Sequence, residues 1–132
     1  MNPSRRTVLV ASALTLTACK AKPTTKVDPD VALRDAALSR ELELQAAYAS
    51  VMKAHPVLAI GLRPLAADKD AHIAALGSAA PATSTVTTVA ALKALESKAA
   101  TEHGRAALVA SRSLAPVLAS LSASSACALA AL

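Results

Sequence analysis

The sequence predicts an all-α protein, and within that class an antiparallel four-helix bundle. Three observations lead there. Alanine dominates the chain with leucine second, and these are strong helix formers that lose little side-chain entropy in a helix. Apolar residues recur at three- and four-residue spacing in four separate stretches. Helix-breaking residues fall between those stretches, and the one cluster of β-branched residues, Thr83 to Val89, makes no convincing strand.

Helix one is expected from Pro29 or Asp30 to Ala54, with Asp28 or Asp30 as its N-cap and Asp35 near the positive end of its dipole. Leu33, Ala37, Leu44, Tyr48 and Val51 form its inner stripe, and Glu41 falls inside that stripe. His55-Pro56 ends the helix, with Pro56 suited to open the next. Helix two then runs to about Leu76, with Gly77 as its stop. Leu58, Leu62, Leu65, His72 and Leu76 share a face, and Pro64 is expected to kink it. Residues 78–85, SAAPATST, form the longest loop. Helix three is expected from near Val86 to about Ala110, with Val89, Leu92, Leu95, Ala99, Ala106 and Val109 facing inward. Glu96 and Glu102 border that stripe and His103 is adjacent. Helix four starts at Ser113 or Ala115, with Pro116 in its first turn. Its apolar side carries Leu114, Val117, Leu118, Leu121, Cys127 or Ala128, and Leu132. Short connections pair helices one with two and three with four, which predicts an up-down-up-down order.

The N-terminus carries an address. Ser4-Arg5-Arg6-Thr7-Val8-Leu9 resembles a twin-arginine export signal, with Arg5 and Arg6 as the pair. The uncharged run from Thr7 to Ala18 is too short to span a bilayer and reads as the h-region of a signal peptide. It ends in Leu16-Thr17-Ala18-Cys19, which resembles the lipobox of bacterial lipoproteins. In that family the cysteine receives a diacylglycerol and becomes the first residue. The expected organisation is a signal peptide at 1–18, a lipidated Cys19 with a flexible tether at 19–29, and a helical bundle at 30–132. The protein would then be anchored to the outer face of the cytoplasmic membrane through lipid on Cys19. The twin-arginine pattern favours Phe where Val8 stands, so the general secretory route stays open beside it.

Composition narrows the function classes. Removal of residues 1–18 leaves 114 residues, one small domain, and its net charge drops from +5 to +3 with the loss of Arg5 and Arg6. So small an excess, with Tyr48 the single aromatic, excludes nucleic acid as an expected partner. Acylation of Cys19 would leave Cys127 without an intramolecular partner. Cys127 is read as a buried small hydrophobe, with a free thiol as the alternative. No Gly-rich phosphate loop, Cys-x-x-Cys pair or nucleophile elbow occurs.

The polar residues inside the helices pose the remaining question. Helix one contains RELELQAAYASVMKAHP, helix two LRPLAADKDAHIAAL, and the chain ends APVLASLSASSACALAAL. Together they resemble the small ferritin-like domain of exported bacterial proteins over about residues 30–132. That resemblance implies inward Glu and Glu-x-x-His ligands for iron or manganese. Glu41 is placed for such a role. On helix two His72 is present, but Lys69 stands where the glutamate belongs, and Asp68 is one turn before His72. Helix three offers Glu96 or Glu102, and helix four only Ser124 and Cys127. Glu41, Asp68, His72 and Glu102 are thus the candidate ligands. Lys69 argues against them, because an ammonium repels a divalent cation; it would instead neutralise Glu41 or Glu102 within the bundle. A histidine on an apolar face is ordinarily a packed, hydrogen-bonded residue, and His55 and His103 are read as ordinary loop and helix-face residues. The resulting expectation is a non-enzymatic scaffold or interaction module that has lost a di-metal site and binds no cofactor. It would act through self-association as a homodimer or through a protein partner. The alternative is a ferritin-like redox or storage protein that binds iron or manganese.

Overall fold

The computed structural model describes residues 28–132; the expected export signal at Arg5 and Arg6, the expected lipidation site Cys19 and residues 20–27 of the expected tether lie outside the described residues, whereas Asp28 and Pro29, counted with the tether, cap and open the first helix. Four helices pack against one another, and there is no strand among the described residues: α1 (Pro29–Ala54), α2 (Ala59–Leu76), α3 (Val89–Ala107) and α4 (Ala115–Ala131). A single 3-10 turn, Pro56–Leu58, precedes α2.

Local chemistry explains most of the boundaries. The Asp28 carboxylate accepts from the Asp30 N–H at 3.0 Å, and Pro29 fills the first helical position, where a missing N–H costs nothing. α2 continues through Pro64 and ends at Gly77, whose φ of 130° suits a residue without Cβ. α3 starts three residues later than the apolar pattern suggests. Its N-cap is Thr88, whose hydroxyl accepts from the Ala91 N–H at 3.2 Å, so residues 86–88 stay outside the helix. The helix also closes earlier, at Ala107, and residues 108–110 form a turn.

The order of the helices differs from a simple up-down-up-down bundle. Leu76, at the end of α2, belongs to a core cluster with Ala37 and Leu38 in the first half of α1 and Leu42 at its middle. Ser84 and Thr87, a few residues later, sit beside the last part of α1. The Ser50 hydroxyl donates to the Ser84 carbonyl at 3.0 Å, and His55 Nε2 lies 2.9 Å from the Thr87 carbonyl oxygen. The connection between α2 and α3 therefore travels back along the bundle. Twelve residues in extended form reach roughly 40 Å, enough to follow a helix of 18 residues. α3 then climbs from the end of α1 toward its start, where the Ser111 N–H donates to Asp30 Oδ1 at 3.0 Å.

The core falls into two apolar layers. One holds Ala37, Leu38, Leu42, Leu76, Leu114, Leu118 and Leu121. The other holds Leu44, Ala47, Tyr48, Val51, Leu62, Leu92 and Ala99. Between them lies a belt of buried polar side chains: Glu41, Lys69, Glu96, His103 and Ser125.

Cys127 is exposed, not buried. Buried α4 positions run Leu118, Leu121, Ser125, Ala128, which turns Cys127 outward. Its thiol is expected to react fully with a thiol reagent in the native protein. Protection until unfolding would contradict this placement. Cys127→Ser should shift stability by less than about 0.5 kcal/mol, as surface substitutions usually do.

Candidate functional site

The polar belt arises because each helix presents a polar residue at an inward position. On α1 the buried series includes Ala37, Glu41, Leu44, Tyr48 and Val51, spaced four and three. On α2 it is Leu62, Lys69 and Leu76, seven apart. On α3 it is Leu92, Glu96, Ala99 and His103. Helix periodicity thus forces Lys69 to enter the core with the leucines two turns before and after it.

Once inside, the Lys69 ammonium is ringed by oxygen acceptors. Nζ lies 3.0 Å from Glu96 Oε1 and 3.1 Å from Glu96 Oε2, 3.4 Å from Ser125 Oγ and 3.9 Å from Glu41 Oε2. Glu96 Oε1 also accepts from the Tyr48 hydroxyl at 2.7 Å. Burial, and then the bond to Glu96, push the Tyr48 phenol far above its ordinary range, so it remains a donor.

Glu41 is held on both oxygens. His72 Nδ1 lies 2.8 Å from Oε2 and His103 Nε2 lies 2.9 Å from Oε1. A carboxylate only accepts, so each of these ring nitrogens carries a proton. Burial by itself raises the Glu41 carboxyl. The bonds from His103 and His72 and the charge of Lys69 outweigh burial and bring it down to about 2. Glu41 is therefore a carboxylate at neutral pH. Among the described residues, no buried side-chain nitrogen or oxygen lacks a hydrogen-bond partner.

Of the four candidate ligands, Glu41 and His72 come together. Asp68 is exposed and does not join them. Glu102 is half-buried at the rim, where Oε2 accepts from Arg40 Nε at 2.9 Å and Nη2 at 2.6 Å. Arg40 also pairs with Glu43. Lys69 does reach Glu41, but its close partner is Glu96 and not Glu102. His103 is no ordinary helix-face residue: it is 2 % exposed and bonded to Glu41. On α4 the participant is Ser125, one residue from Ser124. A strict four-three spacing from Leu92 would have identified Glu96 and His103. An apolar stripe favours the neighbouring Leu95 and misses them.

The donor types would suit iron or manganese, but their arrangement does not fit a metal ion. The space between Glu41 and Glu96 is filled by the Lys69 ammonium, and the bonds given above already engage both oxygens of each carboxylate. Among the described residues no group of three His, Cys, Asp or Glu side chains is disposed to hold a metal. Access is narrow as well. A cleft of about 60 Å³ between α1 and α3, lined by Arg40, Glu102 and His103 among others, admits a few waters but no organic substrate. No helix among the described residues is long and apolar enough to cross a membrane.

No family model, curated protein or solved structure matches the chain.

Proposed function

We propose that this protein is a membrane-anchored lipoprotein whose ferritin-like domain keeps the helical scaffold and carries an internal ion pair where a di-metal centre would lie. On this reading it is a non-enzymatic scaffold or interaction module. The observation that carries it is the Lys69 ammonium, 3.0 Å from Glu96 and 3.9 Å from Glu41, supplying the positive charge that a metal would bring. The helix order adds support. Two antiparallel hairpins, α1–α2 and α3–α4, joined by one long crossover, are the arrangement of ferritin-like folds. Lipid attachment at Cys19 follows from the Leu16-Thr17-Ala18-Cys19 sequence.

Metal content tests the reading. The protein is incubated separately with iron, manganese and zinc, desalted, and its metal per chain counted. The expected result is no stoichiometric retention and an unchanged melting temperature. About two irons per chain, lost in Glu41→Ala and His72→Ala, would overturn it. Mass spectrometry of the mature chain tests the anchor, which requires a diacylglycerol on an N-terminal Cys19.

A second reading, a metal-binding redox or storage protein, draws on one observation. Glu41, His72, Glu96 and His103, from three helices, share a single cluster, buried except at the partly exposed His72. Metal binding there would require Lys69 to leave.

A further inference from the structure

The geometry points to the α3–α4 turn as a lipid-docking tip, which seats the domain on the membrane by the end where its tether enters. This rests on the membrane-anchored reading above. The turn reads RAALVASR over residues 105–112. Leu108 is 86 % exposed and Val109 72 %. Arg105 and Arg112, both exposed, stand on either side of this apolar pair.

Exposed single apolar residues are common and mean little alone. Position gives these a meaning. Ser111, two residues after Val109, is bonded to Asp30 in the first turn of α1, so the tip lies beside the point where the chain enters the domain. Val31, also exposed, is at the same end. Eight residues, 20–27, lie between Cys19 and Asp28. Fully extended they reach roughly 30 Å, so a lipid on Cys19 keeps this end close to the bilayer. The opposite end, where Val57 and Ile60 are exposed, is about 39 Å away along α1.

The chemistry suits a bilayer surface. An apolar pair at a turn tip can enter the headgroup and acyl boundary while flanking arginines meet anionic headgroups. Asp28, Asp30 and Asp35 are at this end too and oppose an anionic surface; Arg34 offsets one of them. The Ser111 N–H engages Asp30, and the exposed Leu108 and Val109, flanked in sequence by Arg105 and Arg112, are the part favoured to face the lipid.

The chain has no tryptophan, so one introduced residue reports without background. Val109→Trp, and Ile60→Trp as the distal control, are made in the full chain and reconstituted into phosphatidylcholine–phosphatidylglycerol vesicles, with and without brominated acyl chains. Both sites are exposed, and circular dichroism checks that the helices persist. The Val109→Trp protein should show blue-shifted emission quenched by brominated lipid, while the Ile60→Trp protein keeps a water-like emission. Adding Leu108→Asp to Val109→Trp should reduce that quenching severalfold. A vesicle-bound Val109→Trp protein whose indole is not quenched overturns the docking tip and leaves the anchor standing. So does an indole at this position that is already shielded without lipid, because a protein contact then covers the turn. Failure to bind vesicles at all overturns both readings. Quenching of the Val109→Trp indole in a chain without lipid on Cys19 supports the tip and removes the lipid anchor.

Discussion

Lys69→Met is expected to destabilise the domain by about 3–5 kcal/mol, the usual cost of removing one partner from a buried ion pair. Methionine keeps much of the lysine volume and needs no hydrogen bonds, so a cavity is a small part of this cost. The loss comes from Glu96 and Glu41. Both are fully buried, and both would lose the charge that faces them. Glu96 would keep only the Tyr48 hydroxyl among its hydrogen bonds given above. The double substitution Lys69→Met with Glu96→Gln removes both charges of the closer pair and should recover a large part of the loss, because replacing a whole buried pair is far milder than breaking it. Urea midpoints for the wild type, the two single variants and the double variant measure the coupling. A Lys69→Met variant within about 1 kcal/mol of wild type would show that the ammonium does not balance these carboxylates.

The second large effect is on acid stability. The Glu41 carboxyl is brought from 4.5 to about 2 in the folded protein. Its folded value is below its unfolded one, so between the two the unfolded chain binds more protons and stability rises with pH. The contribution, on the order of 3 kcal/mol, is complete above about pH 4.5 and is lost as pH falls toward 2. The groups facing Glu41 set this behaviour: His72 and Lys69 from α2, and His103 from α3, with Glu96 across Lys69. Glu41→Gln keeps the shape and removes the titration. It should lower stability at neutral pH and flatten the fall between about pH 4.5 and 2.5. Urea midpoints at several pH values compare the two proteins, and parallel curves would assign the acid loss to other carboxylates.

The polar belt also bears on how this bundle finds its register. Two layers of Ala and Leu are forgiving, since such side chains pack in several rotational settings. A fully satisfied polar layer between them is not. Sliding α2 by one turn would separate Lys69 from Glu96 and His72 from Glu41 at once. The belt thus favours one alignment of four otherwise similar helices, at the cost of dividing the apolar core.

The sequence by itself determined the helical class, the first helix with its cap narrowed to Asp28 or Asp30, the stop at Gly77 and the inward position of Glu41. These follow from local chemistry: helix propensity, a capping carboxylate, Pro and Gly, and an apolar stripe wide enough to be unambiguous around Ala37 and Leu44. The presence of an inward lysine was legible too, because Lys69 falls midway between Leu62 and Leu76. Only the tertiary structure decided its partners. Successive residues on a helix differ by about 100°, so Leu95 and Glu96, or Glu102 and His103, both border the same stripe. Which of each pair turns inward depends on how α3 is rotated against α1 and α4. That rotation brought in Glu96 and His103 and left Glu102 to Arg40 at the rim, while the setting of α4 brought in Ser125. The path of residues 77–88 was hidden for a similar reason. A loop of this length looks the same in sequence whether it turns back at once or runs along the bundle, and only the contacts of Ser84 and Thr87 with α1 distinguish the two.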